Sequence, residues 1–237
     1  MSKKAAAEFP NIDPAALAAG LDRDGYTIVP ALLGADACRD LAALYDREEL
    51  FRSRIVMARH AFGLGEYKYF RYPLPSVIQS LRETLYSHLV VTANRWCEWL
   101  GAEERYPATL VDYLAICHEA GQARPTPLIL KYEAGGYNCL HQDLYGALAF
   151  PLQATILLSS PRDDFTGGEF LLVEQRPRAQ SKGEVVALAR GDAVIFAVNR
   201  RPVAGKRGFY RVALRHGVSR VHSGHRHTLG IIFHDAA

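Results

Sequence analysis

The sequence predicts an α+β protein, with helices from its first half packed around an antiparallel β sandwich or barrel that fills the second. Three observations predict this. Beyond Pro127 the chain breaks into short segments rich in branched residues, separated by Gly, Pro, Asp or Asn turns. Before Pro127 the apolar residues recur at helical spacing instead. A chain of 237 residues, 49% of them hydrophobic, can bury the core of one larger domain. We therefore expect one domain over residues 1–237. In it, 1–127 would be mostly helical support with a substrate loop, and 128–237 the β-core that carries the site.

Residues 1–13 read as a flexible start. Residues 14–21 suit a short helix, with Asp13 as N-cap and Pro14 at the first helical position. The stretch GYTIVPALL (25–33) has the character of a strand running into a turn. From 35 to 50, Ala37, Leu41, Leu44 and Tyr45 follow helical spacing. FGLGEYKYFRYPLP (62–75) reads as a loop or strand pair rich in aromatic and basic residues, closed by prolines that block a helix. A long amphipathic helix is expected from 76 to about 100 and a shorter one near 108–119. The strand segments are 128–132, 154–159, 169–174, 185–189, 192–198, 209–216 and 227–233. No repeat or low-complexity linker interrupts them.

Composition narrows the function class. There is no run of roughly 18 apolar residues and no charged-then-apolar leader, so a soluble protein without membrane association is expected. The four cysteines (Cys38, Cys97, Cys117 and Cys139) form no C-x-x-C pair and read as reduced thiols in a cytoplasm. The net charge of +3 is small, but between Arg176 and Arg226 the only acidic residues are Glu184 and Asp192, among a dozen Lys and Arg. That asymmetry suits an anionic partner such as nucleic acid; a solvated basic face is the plainer alternative.

The stretch KYEAGGYNCLHQD (131–143) ends in His141-Gln142-Asp143. In extended backbone, residues two apart point to one face, so both side chains could reach one ion. If residues 209–216 alternate, Tyr210, Val212, Leu214 and His216 share a face, and His216 supplies a third donor. Two imidazoles and one carboxylate on one side of an ion make the 2-His-1-carboxylate set of non-haem Fe(II) oxygenases. Zinc accepts the same donors. Ten residues after His216 stands Arg226, then Thr228, alternate residues that could hold a carboxylate as a guanidinium fork with a hydroxyl beside it.

In the set His141, Asp143, His216, Gly224, Arg226 and Thr228 the chain resembles the Fe(II)/2-oxoglutarate-dependent dioxygenases. Tyr132, in a Y-x-x-G-G-x-x-x-x-H layout, extends the resemblance, as do DFTGGEF (164–170) and GDAVIF (191–196). The resemblance implies a double-stranded β-helix, a jelly-roll or cupin-like core. It also implies Fe(II) on His141, Asp143 and His216, and 2-oxoglutarate held by Arg226 and Thr228 with the Tyr132 phenol. O2 would be the oxidant, ascorbate the reductant in vitro, and succinate and CO2 the by-products of C–H hydroxylation.

YPATL, CHEAGQARPTP, NCLHQDLYG, EQRPRAQS and GIIFHDA are similar to a bacterial AlkB-like family of oxygenases acting on damaged DNA. That resemblance implies oxidative demethylation of alkylated DNA or RNA, with loss of formaldehyde. Asn138 and Tyr145 flank the triad as substrate-pocket candidates. Tyr67, Tyr69, Phe70 and Tyr72, interleaved with Lys68 and Arg71, could stack bases; packing beneath the helices is the alternative. One departure counts against a demethylase proper: the R-x-x-x-x-x-R pattern is absent, because the sixth residue after Arg226 is Ile232. The His-to-Arg spacing is closer to prolyl-hydroxylase-like members, which makes a protein side chain or an amino acid the alternative substrate. A non-catalytic barrel that binds without turnover is the alternative from another class. His222, His225, His227 and His234 are read as structural.

Overall fold

The computed structural model describes Phe9 and residues 12–237, so most of the expected flexible start lies outside the described residues. The order is α1 (Pro14–Asp24), β1 (Tyr26–Val29), α2 (Ala35–Ala43), β2 (Phe51–Val56), β3 (Gly63–Leu64), β4 (Glu66–Phe70), α3 (Ser76–Trp99) and α4 (Leu110–Glu119). Strands then follow without a helix: β5 (Leu128–Tyr132), β6 (Tyr137–His141), β7 (Leu152–Leu157), β8 (Phe165–Gly167), β9 (Phe170–Gln175) and β10 (Lys182–Val186). The last are β11 (Ala193–Ala197), β12 (Arg200–Gly205), β13 (Gly208–Val218), β14 (Val221–Gly224) and β15 (Arg226–Ile231).

Local chemistry sets the helix ends. Asp13 accepts from the backbone N–H of Ala15 and Ala16 at 2.9 and 3.1 Å, occupying donors that α1 leaves open. In α3 the fully buried Ile78, Leu81, Leu85 and Leu89 recur three or four residues apart, which makes one stripe of the helix apolar. The expected helix over 35–50 is shorter than its spacing suggested. It ends at Ala43 and tightens into two 3-10 turns. The cause is Tyr45, which turns inward so that its hydroxyl donates to Glu66 at 2.7 Å and its carbonyl accepts from Lys68 at 2.8 Å.

The strands build two sheets. The larger is ordered β1-β11-β7-β15-β5-β4-β2, and the smaller β10-β9-β13-β6-β3, with β12 also paired to β13. All ladders between named strands are antiparallel, and β14 and β8 form a separate pair. The α3 stripe joins Ala154 and Ile156 of β7 and Leu229 and Ile231 of β15 in one buried cluster. Residues two apart on a strand face the same way, so Gln153 and Thr155 of β7 turn from the helices toward the second sheet. That leaves a space between the sheets.

A buried polar cluster ties the helices to the C-terminal tail. Arg82 of α3 and Asp235, both fully buried, pair at 2.8 Å, while Tyr72 and His118 meet the second carboxylate oxygen at 2.8 Å each. Gln122 donates to the carbonyls of Asp235 and Leu148, so the tail also braces the loop after β6. Asp235→Ala would leave a buried guanidinium without its counter-charge. It should cost about 3–5 kcal/mol of unfolding free energy, read from urea midpoints.

A candidate metal centre beside a buried arginine

The site begins with a strand register. β6 and β13 pair so that His141 stands directly opposite His216, and their rings lie 4.2 Å apart between centroids. Along β13, Val212, Leu214 and His216 are buried while Arg211 and Arg215 are exposed, the alternation expected of one inward face. Asp143, two residues past the end of β6, lies with its carboxylate oxygens 3.3 Å from His216 Nε2 and 3.5 Å from His141 Nε2. One donor atom from each of the three falls within 4.8 Å of the others, the only such triplet of His, Cys, Asp or Glu among the described residues. Metal–ligand bonds of roughly 2.0–2.2 Å could reach all three from one point.

The surroundings prepare these donors. A carbonyl only accepts, so His141 Nδ1 donates to Cys139 O at 2.8 Å and leaves the Nε2 lone pair facing inward. Asp143 is held at both oxygens: Tyr145 Oη donates to Oδ1 at 2.7 Å and Gln153 Nε2 to Oδ2 at 2.9 Å. Burial alone would raise its pKa, but the hydrogen bonds and charges of His141 and His216 hold it well below the usual carboxylate range. Burial pushes His216 down, favouring the neutral imidazole that ligates metals. His141 is shifted up because Asp143 outweighs its burial.

Beside the triplet the cavity has a cationic end. Arg226 opens β15 opposite Tyr132 of β5 and is 1% exposed, yet its Nε and Nη1 find no hydrogen-bond partner among the described residues. Its neighbours are the rings of Tyr132 and Phe165, at 5.6 and 5.8 Å from the guanidinium carbon. Burial pushes its pKa down to about 10. The Tyr132 hydroxyl is also buried and unpartnered, and Thr228 follows on the same face of β15. A buried, unpaired guanidinium costs on the order of several kcal/mol, so an anion in this corner would be favoured, with the phenol and threonine hydroxyl able to share it. Gly168 makes room. At φ +64, it would bring any Cβ to 2.9 Å from Arg226 Cδ.

The triplet and the arginine line one cavity of about 340 Å³ between the sheets. Of the residues expected from sequence, His141, Asp143, His216, Arg226, Thr228, Tyr132, Asn138, Tyr145 and Tyr67 all face it. Tyr69 does not. It is buried one layer behind, edge-on to Tyr67 and Tyr145 at 5.4 and 6.0 Å. The neighbouring base-stacking run needs correction: Phe70 is fully buried, and Lys68, 3% exposed, is taken up by Glu48 and the Tyr45 carbonyl. Tyr72 gives its hydroxyl to Asp235. None of the other four C-terminal histidines joins the triplet. His222 and His225 are exposed, His227 packs on Tyr45 at 5.9 Å, and buried His234 accepts from the Phe150 N–H. Gln153 escaped the sequence reading. Its signal was a lone amide in the LQATIL strand, whose other residues are apolar but for Thr155.

Comparison with known proteins agrees with this geometry. Residues 65–236 match the model of a family described as "Oxygenase, catalysing oxidative methylation of damaged DNA". Two uncharacterised proteins from two strains of Mycobacterium tuberculosis are each 52% identical over 168 residues, 71% of this chain and 72% of theirs. Among solved structures, a prolyl-4-hydroxylase of Pseudomonas putida superposes with a TM-score of 0.58 at 16% identity, covering 95% of this chain and 100% of that one. The non-heme alpha ketoglutarate dependent epimerase SnoN gives 0.55 at 19% identity, covering 93% and 83%. At these identities the likeness is one of fold, and it identifies the two-sheet core as a jelly roll. His216→Ala should abolish Mn2+ binding measured by calorimetry or electron paramagnetic resonance, whereas His222→Ala should leave it nearly unchanged.

Proposed function

The chain belongs to the Oxygenase-NA family, and from that premise we propose that it is an Fe(II)/2-oxoglutarate-dependent dioxygenase that removes N-methyl groups from damaged DNA by oxidation. One observation carries the cofactor reading: a three-donor cluster and an unpaired buried guanidinium share a single cavity. That pairing suits a metal-bound cosubstrate whose far end is a carboxylate.

His141, Asp143 and His216 would hold Fe(II) on one face and leave the other positions open. Arg226, with Thr228 and Tyr132, would take the distal carboxylate of 2-oxoglutarate as a charge-assisted fork. When bound, iron with 2-oxoglutarate and O2 supplies the oxidative decarboxylation to succinate and CO2 and the oxidation of a substrate C–H bond. The chain's own task is placement. Tyr145 and Gln153 fix the rotation of the Asp143 carboxylate, and the Cys139 carbonyl fixes the tautomer of His141. Leu128, Leu130 and Ile232 wall the cavity with apolar surface and keep bulk water out. Oxidising an N-methyl carbon gives an N-hydroxymethyl group, which releases formaldehyde and leaves the repaired base.

A second reading keeps the reaction and changes the substrate to a protein side chain. Its support is specific: Arg226 stands ten residues after His216, and the position of a second arginine is Ile232, which is buried and lines the cavity. Product separates the two readings. Succinate release with Fe(II), ascorbate and O2 should rise when N-methylated single-stranded DNA is added, and formaldehyde should appear with it. Stimulation by a proline-containing peptide instead, with a stable gain of one oxygen, would favour the second. Arg226→Ala should remove roughly 1.5–3 kcal/mol of cosubstrate binding. That corresponds to a rise of about ten- to a hundred-fold in the 2-oxoglutarate concentration needed.

A further inference from the structure

We propose that the outward face of β13 is a track for single-stranded nucleic acid, running from the stacked Trp99–Phe209 pair to the cavity mouth. It rests on the nucleic-acid reading above and adds where the strand lies. On β13 the inward residues Val212, Leu214 and His216 build the site, so Phe209, Arg211, Ala213 and Arg215 point outward. Arg200 of β12 stands opposite Ala213 and fills the gap between the two arginines. All three guanidiniums are exposed, and none makes an ion pair or hydrogen bond among the described residues.

Register settles what else shares that face. Leu171, Val173 and Gln175 of β9 lie across from Gly217, Arg215 and Ala213, with Gly183 and Val185 of β10 beyond. No strand residue on the face is acidic; Glu104, after α3, is near Arg200 and Arg211 at the far end. A row of unpaired cations on a face without strand carboxylates suits phosphates better than it suits folding.

Both ends of the row carry aromatic platforms. At the far end Trp99 and Phe209 stack in parallel, 4.3 Å apart and 4° from coplanar, with the Arg95 guanidinium 5.3 Å from Trp99. At the near end Gly217 lines the cavity beneath Leu140, and Phe62 beside them is 47% exposed and stacked on His60 at 5.3 Å. The segment presenting Phe62 is held firmly. Its carbonyl accepts from Cys139, its N–H donates to the carbonyl of buried Met57, and Ala61 takes a left-handed φ of +58. A row of arginines flanked by exposed rings suits the phosphates of a single strand and the stacking of its bases. The cavity admits one base-sized group, and the track delivers the strand that carries it.

The test is fluorescence anisotropy of a single-stranded oligonucleotide with one N-methylated base, titrated with full-length protein from about 50 to about 200 mM salt. The variants are the triple Arg200→Ala/Arg211→Ala/Arg215→Ala, a charge control Arg39→Ala/Arg47→Ala on the α2 side, and Phe62→Ala. Each phosphate contact on a single strand contributes about −0.7 to the slope of log K against log salt, so the triple variant should flatten the slope by about 2. The control should keep the wild-type slope. Phe62→Ala should weaken binding about ten-fold with the slope unchanged. Wild-type binding with an undiminished slope in the triple variant overturns the track alone. Equal loss of poly-glutamate and oligonucleotide binding in the triple variant also overturns it, since the face would then serve acidic protein. Failure of the wild type to bind the oligonucleotide overturns the nucleic-acid reading itself.

Discussion

Two histidines facing each other across an antiparallel pair set the geometry on which the rest depends. Because His141 ends β6 and His216 lies directly opposite on β13, their separation is fixed by the ladder and not by flexible side chains. Asp143 then needs only two residues of extended chain to reach the same point. A site built this way is as rigid as the sheet beneath it. Its position relative to Arg226 is fixed by the facing of two sheets, since the arginine belongs to β15 in the other one.

The helical half contributes at a distance. Neither α3 nor α4 lends a side chain to the cavity. Arg82 and His118 instead grip Asp235, and Gln122 joins the tail to the loop that carries Tyr145. The Tyr145 hydroxyl orients the Asp143 carboxylate, so a chain of contacts runs from the helix packing to the metal donors. The aromatic run on β4 serves the same end. Its rings and Lys68 are spent on packing β4 against Tyr45 and the loop tyrosines, and only Tyr67 reaches the cavity.

Much of this was legible in the sequence, for reasons that differ by element. The seven strands expected after Pro127 are present with shifts of a few residues, because branched residues between turn formers leave little choice. β2, β6, β12 and β14 were missed. Arg52 of FRSRIV and Arg201 of RRPVAG are charged residues that tertiary packing covers, so these segments do not read as half-buried strands. His141, Asp143, His216, Arg226 and Thr228 could be placed because spacing along strands translates directly into a shared face. Gln153 could not, and Tyr145 could be read only as a pocket residue, since their importance lies in hydrogen bonds to Asp143 that no spacing rule encodes. Tyr69 and Tyr72 misled for the converse reason: aromatic and basic residues look alike whether they meet a base or a neighbouring ring.

The alternation on β13 also constrains how this chain can change over generations. Inserting or deleting one residue between Arg211 and His216 would rotate every later side chain to the opposite face, sending the imidazole to solvent and an arginine into the core. The turn joining β12 to β13, by contrast, lies at exposed Gly205 to Gly208, where extra residues would only lengthen a loop. Length variation among descendants should therefore collect at that turn, while the ten residues that follow keep a fixed count even where their identities drift.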